Sequence, residues 1–205
     1  MHEHILTDQQ LQMLSVIKNF SDRFYLVGGT ALALQLGHRR SLDFDLFSNE
    51  SFDHQLIRNI FTNNGYPSEQ ILIETEGEFT FISNGVKFTF YHFLYQIDHQ
   101  IRLKNTISMP DQSTIGAMKA FALGKRAKWK DYVDLYFIFQ KHSLKDITSQ
   151  AIAIFGGGEF SEKLFREQLA YHEDINYSEQ VEFLPGFETP DNVIKSFLSE
   201  ISLQA

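Results

Sequence analysis

The chain has 205 residues, and its 43% hydrophobic content excludes an intrinsically disordered protein while allowing a sizeable packed core. It contains no cysteine, so disulfides, thiol catalysis and zinc–cysteine sites are excluded, which suits a reducing cytoplasm. The formal net charge of −8 argues against a protein that binds nucleic acid through a generally basic surface, but not against a local basic patch.

The N-terminal segment shows no targeting pattern. Its first ten residues, MHEHILTDQQ, have no basic region that leads into a long apolar run, so no signal peptide is predicted. No apolar stretch in the chain approaches the ~20 residues that a membrane-spanning helix needs. We therefore expect a cytoplasmic protein without a membrane partner.

The first half of the chain alternates helices and strands. Thr7 and Gln10 have the spacing of a capping box at the start of a helix with an apolar face. The pattern then predicts a short buried strand over 24–27, a helix over 31–36 and a second strand over 42–47.

A β-hairpin follows in the segment EFTFISNGVKFTFYHF. Asn84-Gly85 lies between two alternating runs, which is the strongest local signal for a two-residue hairpin turn. That turn places Thr80 opposite Thr89 on one face and leaves the phenylalanines on the other face. The two faces of the hairpin are therefore expected to differ chemically.

The second half is predicted to be mainly helical. Helical runs begin after Asp111, a predicted N-cap, and recur over residues 160–172 and 190–203. Together with the first half, they indicate an α+β fold in which a mixed sheet is flanked by helices. We assign residues 1–108 to an α/β domain and residues 109–205 to a helical C-terminal region packed on it.

The segment VGGTALALQLGHRRSLDFDLF combines two halves of a phosphate and metal site. Gly28 and Gly29 leave a strand and open a helix, where N–H groups unobstructed by Cβ atoms form an anion site, and Thr30 adds a hydroxyl. Asp43 and Asp45 are two apart on a strand, so both carboxylates leave one face and favour a cation between them. Either half alone is also typical of an ordinary turn or a solvated face, but their order along the chain favours a site.

This pattern resembles the signature of the polymerase-beta-type nucleotidyltransferase superfamily and, more narrowly, the first block of the AbiEii/AbiGii-type nucleotidyltransferase toxin family. The positions that match the family block are His38, Arg39, Ser41, Asp43 and Asp45. The resemblance implies a nucleotidyltransferase-like fold, an NTP substrate and two Mg²⁺ ions. It also implies that Asp43 and Asp45 are catalytic metal ligands. The nucleotide-binding positions that it implies are Gly28, Gly29, Thr30, Arg39 and Ser41.

A second block, MKAFALGKRAKWKDYVDLYFIF, is similar to a later block of the same family. Lys119 and Arg126 are seven positions apart on a predicted helix, so the two cations share a face. The resemblance implies that Lys119 is catalytic and that Arg126 binds nucleotide phosphates. Asp131 and Asp134, spaced i,i+3, could orient those cations or simply pair with them. The alternative for the surrounding basic run is a solvated helix face that pairs with acids.

The hairpin departs from the pattern of the superfamily. A third carboxylate commonly comes from a neighbouring strand, and the strand over 86–93 offers Thr89 instead. The general base is therefore open. The candidates are His38, His92 and Glu74, and activation by the metal alone is the alternative.

Three functions are compatible with these residues. The leading one is Mg²⁺-dependent transfer of a nucleoside monophosphate from NTP to RNA, such as tRNA, or to protein, by the toxin of a toxin–antitoxin or phage-defence pair whose antitoxin is encoded nearby. A small-molecule nucleotidyltransferase acting on a cationic antibiotic would also suit the acidic charge. A non-catalytic nucleotide-binding interaction protein would explain Thr89, but the intact pair of Asp43 and Asp45 argues against it.

Overall fold

The computed structural model describes residues 1–156 and 158–204 and divides the chain into two compact units. The first unit comprises Met1–Gln35 and Ser41–Asp111, and the second comprises Leu36–Arg40 and Gln112–Ala205. The predicted boundary after residue 108 differs from this division in one important way. The five residues from Leu36 to Arg40 belong to the second unit, because the backbone around them is hydrogen-bonded to residues 182–184.

The first unit contains, within the described residues, a five-stranded mixed sheet in the order β1-β2-β5-β4-β3. Its strands are β1 (Tyr25–Val27), β2 (Asp43–Ser48), β3 (Gln70–Thr75), β4 (Glu78–Ser83) and β5 (Val86–His92). Only β2 and β5 run parallel among the neighbouring pairs of this sheet. A separate antiparallel ribbon is formed by β6 (Ile101–Leu103) and β7 (Ile107–Met109). The helices are α1 (Asp8–Ile17), α2 (Gly28–Leu36) and α3 (His54–Asn63).

The predicted hairpin is confirmed residue by residue. Asn84 and Gly85 have φ values of 51° and 69°, so both turn residues lie in the left-handed region that a tight hairpin turn requires. Thr80 is paired with Thr89, as expected. The opposite face carries phenylalanines from β4 and β5 that are fully buried, namely Phe79, Phe81, Phe88 and Phe90. The ring of Phe61 in α3 lies 4.9 Å from the rings of Phe81 and Phe88, so α3 packs on this aromatic face.

The remaining elements of the first unit follow the predictions with one omission. The capping box of Thr7 and Gln10 is present at the start of α1. Helix α2 begins at Gly28, earlier than the predicted residue 31, because the turn glycines already belong to it. Strand β3 was not predicted. All six of its residues are exposed on the edge of the sheet, and consecutive exposed Ile71, Leu72 and Ile73 do not show the alternation of a half-buried strand.

The second unit is helical, as predicted. Its helices are α4 (Gln112–Leu123), α5 (Trp129–Phe139), α6 (Leu144–Phe155), α7 (Glu162–Ala170) and α8 (Asp191–Ser202). Helix α5 is buried on nearly every side, which explains its almost continuous run of apolar residues. Gly116 lets α4 approach α6 closely, since a Cβ atom there would lie 2.7 Å from Cδ1 of Ile147.

The α+β class and the mixed sheet with helices are therefore confirmed. In the described residues, no helix combines the length and the apolar character that crossing a bilayer would require.

Candidate active site

The turn between β1 and α2 is built around Gly28. Its φ of 71° lies in the left-handed region, and a Cβ atom there would lie 2.5 Å from Oδ2 of Asp45. Glycine is therefore needed for two reasons, backbone conformation and close approach. The backbone amides that open α2 consequently lie beside the Asp45 carboxylate of β2.

Asp43 and Asp45 project from the same face of β2, as predicted. Both are half-buried, and the side chain of Asp43 is 26% exposed. In the parallel register with β5, Asp43 is paired with Lys87 and Asp45 with Thr89. The Nζ atom of Lys87 lies 2.7 Å from Oδ2 of Asp43. The neighbours of the two aspartates on β5 are thus the Lys87 ammonium group and the Thr89 hydroxyl.

The same sheet face continues onto β4 with an acid that the sequence prediction missed. Thr80 is paired with Thr89, and Glu78 lies two residues before Thr80, so both side chains share the face of Asp45. The Thr80 hydroxyl donates to Oε1 of Glu78 at 2.8 Å. We use the name carboxylate face for six polar residues on this side of the sheet: Asp43, Asp45, Glu78, Thr80, Lys87 and Thr89.

A count along the strands would have found Glu78 and Lys87, because each lies two positions from a threonine of the hairpin. Their place beside the aspartates could not be read from the sequence, since it depends on the parallel pairing of β2 with β5. No local signal predicts that pairing.

Thr30 and Ser41 form hydrogen bonds that stabilise the turn between β1 and α2. The Thr30 side chain is buried, and its hydroxyl lies 2.9 Å from the Ser41 hydroxyl and is also hydrogen-bonded to the backbone carbonyl of Asp43. These contacts join the start of α2 to the start of β2. The structure therefore brings together six predicted positions of the first block, namely Gly28, Gly29, Thr30, Ser41, Asp43 and Asp45.

The donor set of this face fits a hard cation. Carboxylate oxygens are the ligands that Mg²⁺ prefers, and it usually keeps waters and substrate phosphates for the rest of its shell. Gly28 lets the start of α2 approach the Asp45 carboxylate closely, because a Cβ atom at this position would clash with it. Within residues 1–156 and 158–204, however, no cluster of three or more histidine or acidic side chains is arranged to hold a metal ion on its own.

Three of the four predicted residues of the second block, all except Arg126, lie in a buried ion cluster of the second unit. We use this name for His38, Arg39, Lys119, Asp131 and Asp134, all of which are buried. The Lys119 ammonium lies 2.7 Å from Oδ1 of Asp131 and 2.6 Å from Oδ2 of Asp134. Arg39 donates to both oxygens of Asp134, from Nε at 2.7 Å and from Nη2 at 2.8 Å. The two cations and two anions balance, which is the condition for burying charge.

Mutual pairing decides the ionisation of this cluster. Burial alone would raise the pKa of Asp134, but Arg39 and Lys119 outweigh it and hold that pKa well below its usual range. Burial likewise opposes the charge on Lys119, yet Asp131 and Asp134 raise its pKa. The pKa of Asp131 is lowered, because Lys119 and Arg126 outweigh its desolvation.

His38 is the neutral member of the cluster. Burial lowers its pKa, although its Nε2 lies 2.7 Å from Oδ1 of Asp134. Its Nδ1 is buried and has no hydrogen-bond partner among the described residues, so a proton there would be unsatisfied. We therefore assign the hydrogen to Nε2, which donates to Asp134.

Arg126 and the basic run around it are differently placed. The Arg126 side chain is 52% exposed, and its Nε lies 3.3 Å from Oδ2 of Asp131. Lys128 and Lys130 both pair with Glu179, and the Lys125 ammonium lies over the ring of Phe121. The basic run is thus largely matched by acids, which is the structural alternative that the sequence left open.

The three candidate general bases do not lie on the carboxylate face. His38 is enclosed in the buried ion cluster. His92 has the strand parity of the buried Phe90, and Glu74 is paired with Phe79 on the aromatic side, where it also bonds Arg58 at 2.7 Å. Glu78 is the described acid that shares the face with Asp43 and Asp45 without lying on β2.

Comparison with protein families gives one match over most of the chain. Residues 12–193 match the model of the nucleotidyl transferase AbiEii toxin family, which is described as a type IV toxin–antitoxin system. Among individual sequences, the chain is 29% identical over 183 residues to protein aq_aa25 of Aquifex aeolicus strain VF5, covering 86% of this chain and 87% of that protein.

The solved structures with similar folds include a nucleotidyltransferase. MenT4, a nucleotidyltransferase toxin from Mycobacterium tuberculosis, matches with a TM-score of 0.62 and 12% identity over 95% of this chain and 82% of that one. JHP933 from Helicobacter pylori gives a TM-score of 0.56 at 15% identity, with 96% and 91% coverage. The antibiotic-resistance factor ANT(2'')-Ia gives a TM-score of 0.51 at 11% identity, with 72% and 92% coverage. At these identities the likeness concerns the fold.

Proposed function

Because the chain belongs to the AbiEii nucleotidyltransferase toxin family, we propose that it transfers a nucleoside monophosphate from an NTP to an RNA or protein acceptor, with Mg²⁺ held by Asp43 and Asp45. Family membership makes it an enzyme of the nucleotidyltransferase class, with an antitoxin as its partner in a type IV system. A cytoplasmic setting, where NTPs and tRNA are available, is part of the proposal.

One observation carries the assignment of the site. The amides of Gly28 and Gly29 open α2 next to the Asp45 carboxylate, so a triphosphate and its metal have partners within one turn. We propose that these amides bind the β- and γ-phosphates, while Thr30 and Ser41 keep the turn in place. When bound, Mg²⁺ would supply charge stabilisation to the phosphates.

The reaction is a displacement at the α-phosphorus. An acceptor hydroxyl oxygen forms the new bond, the bond to the oxygen that bridges to the β-phosphate breaks, and pyrophosphate leaves with that electron pair. We propose that Glu78 receives the hydroxyl proton, because its carboxylate lies on the carboxylate face and already accepts a hydrogen bond from Thr80.

We propose different roles for the residues of the second block. Lys119 and Arg39 form ion pairs with Asp131 and Asp134. We therefore propose that these two cations hold the segment that contains Arg39 against α4 and α5 and do not bind phosphate. Asp131 and Asp134 orient those cations. Arg126 is half exposed and has one long contact, so it is the cation of this block that can bind a nucleotide phosphate.

A small cationic acceptor is the second candidate. The net charge of −8 suits a cationic antibiotic at least as well as it suits RNA, and the basic run near Arg126 is largely paired with acids. Protein, RNA and antibiotic acceptors are distinguished by the same experiment.

The test is incubation of the purified protein with each α-labelled NTP, Mg²⁺ and, in separate reactions, total RNA, total protein or a cationic antibiotic, with and without EDTA. We expect labelled acceptor that EDTA abolishes, and a loss of at least about 10²-fold in Asp45→Asn or Asp43→Asn. Asp22→Asn, an exposed acid of the same unit, is the matched control and should keep full activity. Full activity in Asp45→Asn would overturn the metal assignment.

A further inference from the structure

A positive charge lies on the same face of β5 as Thr89, the position where a third carboxylate is expected. Lys87 is paired with Asp43 across the parallel strands, and its ammonium is 2.7 Å from the Asp43 carboxylate. The Lys87 side chain is 36% exposed, so it lies neither in the core nor free in solvent. The threonine that the sequence drew attention to, Thr89, is the next residue on the same face.

This charge changes how many divalent cations the face can hold. Two Mg²⁺ ions roughly 3.5–4 Å apart repel each other strongly and need several carboxylates to hold them together. The carboxylate face offers two aspartates close together, and one of their oxygens already faces Lys87. Within the described part of the chain, no third acidic or histidine side chain completes a cluster with them.

We infer that the site takes one divalent cation together with the NTP, and that Lys87 supplies the second positive charge by donating to an α-phosphate oxygen as the acceptor attacks. The inference rests on the proposed function, which it deepens. An ammonium group has three donors, so Lys87 can keep Asp43 and still bind a phosphate oxygen. Lys87 is then a catalytic residue.

Removal of the Lys87 charge should have two opposite effects, tighter binding of the cation and slower turnover. In Lys87→Met, the ammonium no longer competes for Asp43, so the first cation should bind roughly tenfold more tightly. The α-phosphate loses a donor in the transition state, so turnover should fall by about 10²-fold. A lysine that only pairs with Asp43 would give the first effect without the second.

The decisive experiment counts metal ions. Mn²⁺ binding to the full chain is followed by electron paramagnetic resonance with a non-hydrolysable α,β-methylene NTP present. We expect one Mn²⁺ per chain in the wild type and in Lys87→Met, and two in Lys87→Glu, which completes a three-carboxylate set. Lys18→Met and Lys18→Glu, at an exposed position of the same unit, are the charge controls and should behave as the wild type.

The outcomes separate this inference from the proposed function. Two Mn²⁺ per wild-type chain, or unchanged turnover in Lys87→Met, would overturn the role of Lys87 and leave the nucleotidyltransferase assignment intact. Failure of Asp45→Asn to weaken Mn²⁺ binding would instead overturn the metal site itself. If no acceptor is labelled by any variant, the metal count alone decides for or against one cation.

Discussion

Gly28 has more influence on the site than its lack of a side chain suggests. The left-handed backbone and the 2.5 Å approach to Asp45 mean that any side chain there acts directly on a proposed metal ligand. Gly85 has a similar φ of 69° but nothing within 4 Å of its Cβ position. The two glycines therefore separate backbone strain from crowding of the site.

We predict that Gly28→Ala weakens Mn²⁺ binding by more than about tenfold, because the methyl group displaces the Asp45 carboxylate. Gly85→Ala should lower the free energy of unfolding by about 1 kcal/mol from the left-handed φ alone and leave Mn²⁺ binding unchanged. Both are measured by Mn²⁺ titration and urea unfolding. Equal Mn²⁺ affinity in Gly28→Ala and the wild type would contradict a metal site that depends on the close approach of Gly28 to Asp45.

At the scale of elements, the sequence predicted what depends on neighbours along the chain. The Asn84-Gly85 turn fixes the hairpin register, and the spacing of Asp43 and Asp45 fixes their common face. The pairing of β2 with β5 is a contact between distant segments. The sequence could therefore not place Lys87 and Glu78 beside Asp43 and Asp45. Similarly, the spacing of Asp131 and Asp134 showed a shared helix side but not that Arg39 lies against it.

The buried ion cluster gives α4 and α5 a common electrostatic centre. Because the pKa values of Asp131 and Asp134 are lowered, their stabilisation is present above the ordinary aspartate pKa of ~3.9 and is lost as pH falls through the folded values. The pKa of Lys119 is raised, so its contribution is present below its ordinary pKa of ~10.4 and is lost as pH rises through the folded value. The cluster is therefore strongest between those limits.

We predict that Lys119→Met lowers the free energy of unfolding by about 3–5 kcal/mol at pH 7, since it leaves two buried carboxylates short of a cation. The deficit relative to the wild type should shrink as pH falls from 7 to 4, because the carboxylates that have lost Lys119 take up protons more readily. Urea unfolding at pH 7 and pH 4 measures both. Lys163→Met removes a lysine that is 84% exposed and should change little, and an equally small effect of Lys119→Met would rule out the positioning role.

At the scale of the whole molecule, acidic charge limits how RNA can be held. The net charge is −8, and Lys128 and Lys130 of the basic run near Arg126 are already paired with Glu179, so this run offers fewer cations for phosphate contacts than its sequence suggests. An RNA acceptor would be bound through a small number of phosphates, whereas a protein acceptor would not depend on them.

We predict that, at fixed Mg²⁺, the KM for an RNA acceptor rises about tenfold between 50 and 200 mM KCl, as expected for roughly two phosphate contacts. The KM for NTP should change much less, because its binding is dominated by one metal and the backbone amides. Initial rates with labelled NTP and varied RNA measure both constants. A flat salt response for the acceptor would favour a protein or a small molecule.

The division of the chain also has a consequence for its synthesis. The segment from Leu36 to Arg40 lies between the Gly28 turn and Asp43, yet it belongs to the second unit, where the Arg40 amide donates to the Glu182 carbonyl and the Leu184 amide donates to the His38 carbonyl. Domains generally fold as they leave the ribosome, N-terminal parts first. Here the link between the two halves of the proposed phosphate and metal site cannot form these two backbone hydrogen bonds until residue 184 has been made. A chain truncated before that residue therefore lacks them.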